Sequence, residues 1–82
     1  MIRYYMHLRN GIDELLDSEG VELVDLDAVR HNAMVAVRDI LSSDLRTGVM
    51  DLRYRIDAET ERGVIVYTLP FKQAFSIIPE AA

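Results

Sequence analysis

Cysteine is missing from this 82-residue chain. That excludes disulfides, thiolate metal ligands and a thiol nucleophile. Small secreted domains usually depend on such cross-links, so the composition points to a cytoplasmic protein. No leader of charged, then apolar, then small residues opens the sequence, which points the same way. Long apolar runs are missing too. "AMVAV" and "VIVY" fall far short of the roughly 20 residues that span a bilayer, so no membrane segment is expected. Two prolines and four glycines are too few for a linker or a low-complexity tract. No phosphate-cradling glycine loop, nucleophile elbow or HExxH stretch occurs. "DSEGVELVDLD" fails as a calcium loop, because its glycine stands at the fourth position rather than the sixth. The two histidines, His7 and His31, lie on different elements and offer no zinc spacing.

What is present is the balance of a folded domain. Half the residues are apolar and 28% are charged, with a net charge of -5. The acids crowd between Asp13 and Asp27, whereas Arg3, Arg9, Arg53 and Arg55 lie in two distant strand-like segments. That distribution allows a basic surface on an acidic molecule.

Residues 2 to 9 alternate. Ile2, Tyr4, Met6 and Leu8 fall on one face; Arg3, Tyr5, His7 and Arg9 fall on the other. Asn10-Gly11 is a strong hairpin signal, and a two-residue loop would set His7 opposite Glu14 and Met6 opposite Leu15. After a second turn at "DSEG", "VELV" is a short extended piece. Asp25 is positioned to cap a helix, with Val24 and Val29 as a hydrophobic staple. Leu26, Val29, Ala33, Ala36, Val37, Ile40 and Leu41 keep helical spacing, Leu45 extends it, and Gly48 is a natural stop. "MDLRYRID" restores alternation, with Met50, Leu52, Tyr54 and Ile56 opposed to Asp51, Arg53, Arg55 and Asp57. "ETERG" reads as a polar turn, and "VIVYTL" as a strand ended by Pro70. Phe71, Ala74, Phe75 and Ile78 suit a short closing helix.

The expectation is an α+β domain over residues 1–79, with 80–82 a frayed tail. One long helix covers one face of a four-stranded antiparallel sheet of order 2-1-3-4. The other face then carries Arg3, Tyr5, His7, Arg9, Arg53 and Arg55, with Asp51 and Asp57. Three readings fit such a face. It is solvated and held by cross-strand charge pairs, with His7 meeting Glu14. It is an interface, since arginine and tyrosine are enriched there and symmetric dimers are common. Or it binds single-stranded nucleic acid, with Tyr5 and His7 as stacking platforms. The combined expectation is a non-catalytic interaction module that self-associates or meets a protein partner through the open face or a sheet edge. Nucleic-acid binding is the alternative. No nucleophile, base and orienting group converge in the pattern, so no enzyme, cofactor or metal site is expected.

"RYYMHLRNG", "DLDAVRHNA" and "TLPF" together resemble a bacterial family of short domains of unknown function. Its pattern opens with arginine, two aromatics, one further residue, His-Leu-Arg and a glycine turn, then an Asp-Leu-x-x-Ala-Arg-like helix start. The matching residues are Arg3, Tyr4, Tyr5, His7, Leu8, Arg9, Gly11, Asp25, Leu26 and Arg30, then Leu69, Pro70 and Phe71. Met6 stands in place of an aromatic and Val29 in place of alanine. The resemblance implies no catalytic residues.

Overall fold

The computed structural model describes residues 1–81, so Ala82 of the expected tail lies outside it. The elements are β1 (Ile2–Arg9), β2 (Glu14–Leu15), β3 (Val21–Leu23), α1 (Leu26–Thr47), β4 (Arg55–Thr60) and β5 (Ile65–Pro70), then a 3-10 turn over Phe71–Gln73. The α+β class holds. The sheet is antiparallel and has five strands rather than four, in the order β2-β1-β4-β5 with β3 also on β1. That is the expected order with one strand added. β4 occupies one edge of β1 along Tyr4–Arg9. β2 and β3 therefore share the other edge, β3 at Ile2–Tyr4 and β2 at Leu8–Arg9.

The first hairpin differs from expectation by two residues. Leu8 faces Leu15 and Arg9 faces Glu14. The cause is Asn10, whose side-chain oxygen accepts from the N–H groups of Ile12 and Asp13 at 2.9 and 2.6 Å. Its own N–H donates to Asp13 O, closing a four-residue loop. A shift of two keeps every side chain on its face, so the alternation survives the wrong loop length. The DSEG turn needs its glycine: Gly20 has φ +72°, and a Cβ there would sit 2.9 Å from Tyr4 O and from the Tyr5 ring.

Asp25 caps α1 by accepting from Ala28 N–H at 2.8 Å, and left-handed Gly48 ends it. Val29, Ala33, Val37 and Leu41 are its buried stripe. The expected staple does not form, because Val24 is exposed, and Leu45 also points to solvent. The small Ala33 meets Ile56, Leu69, Phe71 and Ala74 in the main core. Tyr4, Val29 and Ala58 form a second cluster.

The second hairpin starts late. Residues 50 to 54 are not strand: Asp51 accepts from Arg53 N–H at 3.0 Å and pairs with its guanidinium, making a turn. β4 then continues through Glu59 and Thr60, residues expected to be turn. Phe71 N–H donates to Tyr54 O. By alternation, the backbone groups of Thr68 and Pro70 face the free edge of β5, where a proline costs no ladder bond. The register also shifts between Ala58 and Glu59. The closing helix is only the 3-10 turn. Phe71 and Ala74 are buried as expected, but Ile78 is exposed. Pro79 disfavours helical backbone at Ile78, and so short a segment cannot offset the cost of nucleation.

Candidate functional site: the open sheet face

The face opposite α1 brings Arg3, Tyr5, His7 and Arg9 of β1 beside Arg55, Asp57 and Glu59 of β4. The ladder pairs Tyr5 with Glu59, His7 with Asp57 and Arg9 with Arg55. Arg53 is not among them. It belongs to the Asp51 turn, exposed and off the sheet. Alternation puts it on the face only for a strand that begins at Met50, and β4 begins at Arg55.

Arg9 is the centre of the face. Its Nη1 donates to Asp57 Oδ2 at 2.9 Å and to Glu59 Oε2, and its Nε donates to Glu14 Oε1 at 3.1 Å. Bonds to Asp57 and Glu59 hold the guanidinium pKa well above the ordinary arginine range. Asp57 also accepts from Thr68 Oγ1 at 2.8 Å and from Arg55 Nε. Burial alone would push the Asp57 carboxyl up. The donors Arg9, Thr68 and Arg55 outweigh that and hold it below the usual carboxylate range. Asp57 is 1% exposed and Glu59 8%, although among the described residues no second layer covers them. The stems of their own neighbours exclude water.

His7 does not meet Glu14. Its Nδ1 accepts from Asp17 N–H at 3.0 Å, so the neutral ring carries its proton on Nε2, which lies 3.8 Å from Glu59 Oε1. Tyr5 stacks beside His7, with ring centroids 6.2 Å apart and planes 10° from parallel. Asp17 organises the adjoining loop by accepting from the N–H groups of Met6, Glu19 and Gly20. Burial opposes ionisation there, but those three donors and His7 hold the carboxyl below its usual range. Arg3 bonds Glu19 O and pairs with Glu22 at 3.3 Å.

Three arginines thus share the face with four carboxylates, Glu14, Glu22, Asp57 and Glu59. The ends of β1 and β4 flank a polar cleft of about 450 Å³, bounded by Arg9, Arg55, Asp13, Glu14 and the Gly11 loop. Among the described residues no group of three or more His, Asp or Glu side chains is placed to hold a metal. No helix there is long and apolar enough to cross a membrane. Sequence reasoning placed Asp57 on this face but missed Glu59, read as turn, and Thr68. The alternation Arg55, Asp57, Glu59 was the available signal.

No curated protein and no solved structure matches the chain. One family model does, over residues 3–72, a span that includes RYYMHLRNG, DLDAVRHNA and TLPF. The chain therefore belongs to the family described as domain of unknown function DUF6894.

Proposed function

We propose that this domain is a non-catalytic interaction module that self-associates through its open sheet face. The observation that carries this reading is that the arginines of the face are paired with carboxylates of the same face. His7 is committed to Asp17 N–H, and the Thr68 hydroxyl to Asp57. Such a surface has its charged side chains fixed in place before any partner arrives, which lowers the ordering cost of association.

The sheet edges favour association less. β2 has two residues and β3 three, while β5 has a register shift at one end and Pro70 at the other. Short strands, bulges and prolines are the devices that keep edges from pairing. The face itself has an apolar entry: Ile65 lies across from Glu59, in one row with Tyr5, and is about half exposed. Two copies meeting here would bury Tyr5 and Ile65 at the centre, with Arg3 and Arg55 at the rim.

Sedimentation equilibrium over a wide concentration range tests the proposal. Wild type is expected to approach twice the chain mass at high concentration, and Ile65→Lys to remain a monomer. A wild type that stays monomeric throughout sinks self-association. The alternative, single-stranded nucleic acid on Tyr5 and His7, has less support because carboxylates interleave with every arginine. It demands affinity that falls steeply with salt, and binding that is absent or salt-insensitive removes it.

A further inference from the structure

On the helix side of the sheet, α1 packs chiefly on β5, β4 and β3. The corner formed by β1 and β2 is left uncovered. Two clefts meet there and share Leu8 and Leu15. One, about 240 Å³, continues to Ile40, Tyr54 and Phe71. The other, about 380 Å³, continues to Met6 and Leu16. Leu15 and Leu16 are 67% and 56% exposed, at positions where the hairpin could carry polar residues at no cost to either core. Contiguous exposed apolar surface of this kind marks an interaction site.

The charged residues bounding the groove have one sign. Asp44 and Asp51 border the first cleft, Asp17 and Glu19 the second, and no lysine or arginine borders either. Asp51 is paired with Arg53, and Asp17 with backbone N–H groups. Among the described residues Glu19 and Asp44 take part in no ion pair, one on each cleft. An apolar floor bordered at both ends by carboxylates outside any ion pair complements an amphipathic segment with an apolar stripe and flanking cations.

We infer that this groove between β2 and the C-terminal half of α1 docks a basic amphipathic helix of another protein. A second copy of this chain is a poorer occupant, since it brings the same acidic rim and a net charge of -5. An extended strand is poorer too, because β2 offers only two residues of backbone to pair with. An anionic lipid surface is repelled by the same carboxylates. The inference rests on the reading of the domain as an interaction module, but uses a surface on the other side of the sheet from Ile65.

The probe is a synthetic fluorescent helix with leucines three and four apart and lysines elsewhere. A control peptide has the same leucines with glutamates. Anisotropy titrations with the full chain are expected to show the lysine peptide binding wild type. Leu15→Asn and Glu19→Lys should each weaken it by about tenfold. Ile65→Lys should leave it unchanged, and NMR shift changes should centre on the Leu8, Leu15, Leu16 and Ile40 methyls. Equal binding of the glutamate peptide, shift changes elsewhere, or no binding at millimolar peptide overturns the inference. So does a wild-type dimer that Leu15→Asn dissociates, which would put a second copy in the groove. Failure here with an Ile65-dependent dimer intact removes the groove and leaves the proposed self-association standing.

Discussion

The two faces of β4 exclude water equally and by opposite chemistry. Ile56 and Ala58 point into the cores beneath α1 and are 1% and 0% exposed. Asp57 and Glu59 point the other way, where no described element is layered on the sheet, and are 1% and 8% exposed. On the helix side, burial removes apolar surface from water and is itself the driving force. On the open side, burial costs desolvation, which the bonds from Arg9, Arg55 and Thr68 offset. An open sheet face can thus be dry without a second layer when long side chains lie across it. Its stability then depends on pairing rather than on area.

The largest expected effect is on the apolar side. Ile56→Ala should lower unfolding free energy by about 3–4 kcal/mol, because a fully buried site cannot collapse around the lost methylenes. Urea denaturation measures it. On the charged side, Asp57→Ala should cost about 2–3 kcal/mol, leaving Arg9 and the Thr68 hydroxyl short of an acceptor. If the same experiment finds Asp57→Ala neutral, the charged face is merely solvated and the comparison fails.

Acid separates the faces next. The Asp57 and Asp17 carboxyls are held below their ordinary range in the folded state. Each therefore adds stability that is complete above the unfolded value of about 4 and is lost as pH falls through the lower folded value. Thermal melts of wild type should lose stability below about pH 4. Ile56→Ala should follow the same slope from a lower start, and Asp57→Asn should show a shallower one. The smallest effect is at Arg53, whose pair with Asp51 is exposed. Arg53→Ala should leave the melting temperature unchanged within error, although Asp51 is held down at about 2 by that arginine. A clear drop in melting temperature would return Arg53 to the structural network of the sheet.

The alternation of residues 2 to 9, the Asp25 cap and the Gly48 stop were all readable from sequence, because each depends on chemistry within one turn or one pleat. Strand order also followed, since matched apolar faces have few ways to pair. The errors occurred where a short polar side chain redirected the backbone. Asn10 lengthened the first loop, and Asp51 converted the start of a strand into a turn that carried Arg53 away. At the site, Arg3, Tyr5, His7, Arg9 and Arg55 were identifiable from period two alone. Glu59 was not, because its surroundings in sequence, "ETERG", have the composition of a turn.

Periodicity and capping are local properties, and by themselves they determined one helix, the alternating first strand and which residues of that strand face away from the helix. Which carboxylates Arg9 binds, which hairpin corner α1 leaves bare, and the second short strand on β1 were decided only by the tertiary structure. Those features join residues up to 50 positions apart. Their pairing is selected by desolvation and sheet register, which exist only once the chain has closed.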